Sequence, residues 1–162
     1  MQEHTTKERQ STQTDKPEGQ VAGQTVDVLV TPKIKDNSGH VYCEIDNGPG
    51  TGANRVKGGL IKLRGAPAGT EFTVNFDLQA GDVPNLAWST NGGACEGFWS
   101  NANACPPGKG QDGQVTTGPT VNGSTLSVGI TPNGSSPVIH YALNVVDPSN
   151  QQLQFDPIIV VG

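Results

Sequence analysis

A chain of 162 residues with 22 Gly, 12 Pro, 33% hydrophobic and only 15% charged residues is one domain's worth of material that is rich in turn formers and poor in helix formers, which predicts many short strands joined by turns. A net charge of −5 argues against nucleic acid and anionic membrane surfaces as partners, because both need clustered Lys and Arg to displace counterions, and no run reaches the roughly 20 apolar residues of a membrane helix. The first 20 residues carry no apolar stretch of the kind a secretory leader needs, so the expected compartment is the cytoplasm, with leaderless secretion or a trimmed leader as alternatives.

Residues 1–22 mix Thr, Gln, Lys, Glu and Asp without a period and lack the apolar area that would offset the entropy of ordering, so they are expected to form a flexible polar tail. The domain is expected to occupy residues 23–162. Val26, Val28 and Val30 alternate with Thr25, Asp27 and Leu29. This is a period-2 strand that Pro32 is expected to end or place at an edge, since it has no N–H for a ladder. Asp36-Asn37-Ser38-Gly39 is a turn. Val41, Cys43 and Ile45 then share one face of a second strand, with His40, Tyr42, Glu44 and Asp46 on the other; this makes Cys43 a small buried hydrophobe rather than a reactive thiol.

The Gly-rich stretch Asn47–Gly52, followed by Arg55 and Lys57, suggests phosphate by composition. It leads into another strand (Leu60, Ile61, Leu63) and not into a helix N-terminus, so a hairpin loop is expected there. The clearest strand is Glu71–Gln79, with Phe72, Val74, Phe76 and Leu78 on one face and Thr73, Asn75 and Asp77 opposite. Four such side chains, at about 1.5 to 3 kcal/mol each when fully buried, make it a main contributor to the core. After a short strand at Leu86–Ser89 comes Asn91–Gly113, which has no period and holds two of the three cysteines; long irregular connections in a compact domain are often functional. Beyond it, Gln114–Val121 with Pro119 predicts an edge strand and Asn122-Gly123 a hairpin turn, leading into Leu126, Val128 and Ile130. The closing segment is the densest in apolar residues. Ile139, Tyr141, Leu143 and Val145 alternate down a strand, Asp147-Pro148-Ser149-Asn150 has hairpin turn chemistry, and Leu153–Phe155 returns, interrupted at Asp156-Pro157 before Ile158–Val161.

Candidate chemistry is sparse. Gly93-Ala94-Cys95-Glu96-Gly97 matches a nucleophile elbow by letter, but no helix follows to lower the thiol pKa, so a cysteine-dependent enzyme at Cys95 stands only as an alternative reading. Cys95 and Cys105 could equally form a disulfide, worth up to about 3 kcal/mol in the chain-entropy model and dependent on an oxidising compartment, or remain two thiols. His4, His40 and His140 have no ligand at metal-binding spacing, so neither metal nor cofactor is expected. Trp88, Phe98 and Trp99, with Asn101 beside them, are a candidate carbohydrate-binding set, since aromatic faces next to amides suit sugars; the competing expectation is that the rings simply pack into the core.

Tyr141-Ala-Leu-Asn-Val-Val-Asp147 followed by Phe155-Asp156-Pro157-Ile158-Ile159-Val160 resembles the ends of two bacterial groups, the DP-EP family of small uncharacterised proteins and the PixA/AidA type of inclusion-body protein. The resemblance covers the C-terminal hairpin. It implies an immunoglobulin-like β-sandwich without an assigned enzymatic activity. The expectation is therefore an all-β, antiparallel, immunoglobulin-like sandwich of about eight or nine strands. It is expected to be an acidic, soluble, non-enzymatic protein that binds a protein partner or self-associates through an exposed strand edge, with carbohydrate binding as the second reading.

Overall fold

The computed structural model describes residues 23–49, 55–90, 97–100, 113–134, 138–155 and 158–160. The predicted tail at residues 1–22 lies outside them, as do Cys95, Asn101 and Cys105. Every regular element among the described residues is a strand, as the composition predicts.

The first sheet holds β1 (Gln24–Ile34), β2 (Val41–Asn47), β5 (Phe72–Leu78), β8 (Val115–Asn122) and β9 (Thr125–Ile130), in the order β2-β1-β5-β9-β8. The second is built on β10 (Val138–Val146). One flank of β10 pairs with β11 (Gln152–Phe155) and β12 (Ile158–Val160), and the other with β6 (Ala87–Trp88) and β7 (Phe98–Ser100). β12 continues the sheet to β4 (Leu60–Lys62) and β3 (Val56–Lys57). β11 and β12 keep one register along β10, so the return path is divided into two short strands.

Three differences from the sequence expectation have physical causes. There are twelve strand segments among the described residues, not eight or nine, because the edges are split into pieces of two or three residues. Two pairings, β1–β5 and β12–β4, are parallel; side-chain alternation says which face is buried and nothing about a neighbour's direction. And β1 runs through Pro32 to Ile34. Its parallel partner stops at Leu78, opposite Val30, so no strand among the described residues needs the N–H that Pro32 lacks on that side.

The two sheets share one apolar core. Val26, Val28, Val30, Phe72, Val74, Phe76, Leu126, Val128 and Ile130 enter it from the first sheet, and Ile61, Phe98, Ile139, Tyr141, Leu143, Val145 and Ile159 from the second. Phe76 meets Tyr141 and Phe98 across the interface at ring-centroid distances of 5.5 and 5.9 Å, in the tilted geometry that aromatic quadrupoles favour. On the outer face of the first sheet the polar half of the alternation pairs with itself: Ser127 Oγ donates to Asn75 Oδ1, and Asn75 Nδ2 to Asp27 Oδ1. Arg55, which the sequence places beside the Gly-rich loop, donates to the carbonyls of Lys62 and Arg64 and to Gln24 Oε1, and its guanidinium lies 5.2 Å from the centroid of the Phe72 ring. It joins β4 to the start of β1.

The predicted closing turn forms between β10 and β11. Asp147 Oδ1 accepts Ser149 Oγ–H at 2.7 Å and the Gln151 amide at 2.8 Å, and these donors hold its carboxyl below the usual range.

Candidate functional site

Of the residues nominated from sequence for sugar binding, Phe98 and Trp88 do not lie at a surface. Phe98 pairs with Leu143 in β10, is 0% exposed and stacks on Tyr141 at 5.3 Å. Trp88 is 2% exposed and donates its indole N–H to the Ser124 carbonyl at 2.7 Å, tying β6 to the β8–β9 turn. Both rings are core, which corrects the expectation that they offer a face to a ligand. The backbone of Trp99 stands opposite Ala142; its side chain and Asn101 lie outside the described residues, as do both cysteines of the loop. The described residues contain no group of three His, Cys, Asp or Glu side chains that could hold a metal ion, and no helix among them is long and apolar enough to cross a membrane.

What the described residues build is an open strand edge. Among the described residues β2 pairs with β1 alone. Two backbone bonds just outside the strand fix the phase of that ladder: Lys35 N–H donates to the His40 carbonyl at 2.9 Å, and Gly48 N–H to the Asp27 carbonyl at 2.7 Å. Antiparallel pairs alternate between bonded and non-bonded positions. The even-numbered residues of β2 therefore bond inward to β1, and the amides and carbonyls of Val41, Cys43 and Ile45 point away from it.

The same three residues turn their side chains toward the core, while Tyr42 is 40% exposed and Glu44 and Asp46 face solvent with it. Beside this edge lies a cavity of about 560 Å³. Val41, Cys43 and Ile45 line one wall, and Gly58-Gly59 of the β3–β4 turn, Leu60 and Phe155 line the other. A second cavity of about 310 Å³ extends it along Cys43–Asp46. Among the described residues the edge is closed only near its C-terminal end, where Val56 N–H donates to Asn47 Oδ1 at 2.8 Å. The alternation of β2 is visible in the sequence; that the strand lies at an edge is a property of the sheet order, for which no local signal exists.

The chemistry available here is that of backbone groups. Burial pushes the Cys43 thiol from 9.0 up to about 12, so it is neutral and a poor nucleophile at physiological pH. Nearby, the buried Tyr141 hydroxyl, which has no hydrogen-bond partner among the described residues, is raised well above its usual value by burial first and by Cys43 second. The sign of the Cys43 effect follows from linkage. Between about pH 9 and 12 the unfolded chain releases the thiol proton and the folded chain retains it, so stability is fully present below pH 9 and lost as pH rises through 12. Cys43→Ala is expected to show a smaller fall in urea midpoint between about pH 8 and 10 than the parent protein. Equal falls would show that the Cys43 thiol titrates as it does in the unfolded chain.

No family model matches the chain, and no curated protein matches it. The DP-EP resemblance therefore gains no support. Among solved structures the chain is similar to the crystal structure of an inclusion body protein, PixA, from Burkholderia cenocepacia J2315, at 9% identity over 89% of this chain and 99% of that chain, with a TM-score of 0.36. That likeness is distant.

Proposed function

We propose that this is a non-enzymatic binding protein that works by strand addition at the open edge of β2. One observation carries the reading: among the described residues no strand pairs with the outward amides and carbonyls of Val41, Cys43 and Ile45, which stand beside an apolar-walled trench. In strand addition, main-chain hydrogen bonds supply affinity and pockets for alternate side chains supply specificity. The trench offers both. Val41, Cys43, Ile45, Leu60 and Phe155 accept the apolar half of an incoming strand, and Glu44 and Asp46 favour Lys or Arg on its outer half.

The test is an edge-blocked variant. In Cys43→Pro the lost N–H points away from β1, so the β1–β2 ladder keeps its bonds, whereas an added strand loses a donor and meets the ring. A synthetic octapeptide of alternating Val and Thr with Lys at both ends is expected to shift the amide resonances of Val41, Cys43 and Ile45 in the parent protein. In a folded Cys43→Pro protein the remaining two should not move. Shifts confined to other residues, or none at millimolar peptide, would end the strand-addition reading.

A further inference from the structure

We infer that the strand added at this edge is β2 of a second copy of the same chain, paired antiparallel about a two-fold axis at Cys43, with Val41 opposite Ile45. The inference rests on the strand-addition reading and adds the partner and the register.

Hydrogen-bond phase leaves few registers. Only the odd-numbered residues of β2 present outward groups, so in a symmetric antiparallel pair odd residues must face odd residues. Gly39, with φ of +68°, is in the turn and not extended, and the edge at Asn47 is covered by β3 through the Val56 amide. The usable positions are therefore Val41, Cys43 and Ile45. Centring the pair on Cys43 engages all three on both chains, in the pairs Val41–Ile45, Cys43–Cys43 and Ile45–Val41. Each bonded pair exchanges two N–H···O bonds. Sliding the partner by two residues in either direction leaves one of the three on each chain outside the ladder or moves it onto Gly39 or Asn47.

The exposed side chains select the same register. With Cys43 on the axis, Tyr42 stands opposite Glu44 of the second copy and His40 opposite its Asp46. Moving the axis to Glu44 sets the two Glu44 carboxylates directly against each other, and moving it to Ile45 sets Glu44 against Asp46. Like charges directly opposed on neighbouring strands are destabilising. On the inner side, Val41 would lie against Ile45 and the two neutral Cys43 thiols against each other, extending the trench's apolar wall across the axis. Two copies joined this way form one continuous sheet with a closed, isologous contact, which uses up the edge and does not propagate.

Sedimentation equilibrium of the full chain is expected to show a monomer–dimer equilibrium. Tyr42→Glu, on an exposed side chain, should raise the dissociation constant about tenfold by placing a carboxylate opposite Glu44 at both symmetry-related positions. Adding Glu44→Lys to that variant should restore dimerisation, because the carboxylate introduced at position 42 then faces the ammonium introduced at position 44 of the second copy. With the axis at position 42 or 44 instead, the same double variant sets like charges against each other. A dimer indifferent to Tyr42→Glu, or one that the second substitution fails to restore, would overturn the inference. So would a protein that remains monomeric at millimolar concentration; if the Val-Thr peptide still binds at β2, strand addition survives and the second copy is wrong.

Discussion

Phe76→Asp is expected to leave no folded protein at room temperature. Phe76 is 0% exposed in the middle of β5, its neighbours in register are Val28 on β1 and Leu126 on β9, and its ring faces Phe98 and Tyr141 from the opposite sheet. An aspartate there removes the aromatic contacts, leaves a cavity and strands a carboxyl group among hydrocarbon. Losing a buried Phe costs about 3–5 kcal/mol, and burying an unpaired polar or ionised group adds several more. Against the roughly 5–15 kcal/mol of a typical domain, the sum consumes the whole stability. Phe76→Leu keeps an apolar side chain and is expected to fold with a lowered urea midpoint, so far-UV circular dichroism and urea titration of the pair separate the loss of packing from the burial of a polar group. A Phe76→Asp protein with a near-parental midpoint would mean that the two sheets do not meet at this side chain.

That expectation is legible without a structure, because Phe72, Val74, Phe76 and Leu78 alternate strictly with Thr73, Asn75 and Asp77, and the same reasoning identifies β1, β9 and β10. Alternation does not reveal sheet order. β1 and β5 lie side by side and parallel although some forty residues separate them, a choice made by which faces must be covered together and not by any residue in either strand. Nor does it place Phe98 and Trp88. They sit among residues without alternation, so the sequence permits both a sugar platform and a core, and the core prevails because a two- or three-residue strand can pair with β10 and bury its ring without needing a repeating pattern. The edge at β2 is hidden for the same reason. Val41, Cys43 and Ile45 read as one buried face, and only the phase of the ladder to β1 shows that their backbone groups turn outward.

The loop after β5 provides the second large effect, and it bears on that edge. Gln79 N–H donates to the Val30 carbonyl at 2.8 Å; the chain then turns at Gly81, with φ of +55°, and Asp82 N–H donates to the Pro32 carbonyl at 2.8 Å. Asp82 Oδ2 accepts the Ile34 amide at 3.1 Å. This loop holds the last residues of β1 in place beyond the end of its parallel partner. A Cβ at Gly81 would stand 2.0 Å from the Pro32 carbonyl oxygen, a backbone atom that cannot swing aside as a side chain can. Gly39 is the internal control: its φ is also positive, at +68°, but a Cβ there meets nothing within 4 Å. Gly39→Ala should therefore cost only the conformational penalty of about 1 kcal/mol, whereas Gly81→Ala adds the collision and should cost about 3 kcal/mol, a fall of roughly 1–2 M in urea midpoint. Pro32 stands opposite Cys43 in the β1–β2 register, so displacing it moves the middle of the open edge. Gly81→Ala is accordingly expected to weaken strand addition as well as stability, and Gly39→Ala to leave strand addition intact. If the two alanines lower the midpoint equally, the loop does not clamp β1, and the edge of β2 takes its shape from the ladder alone.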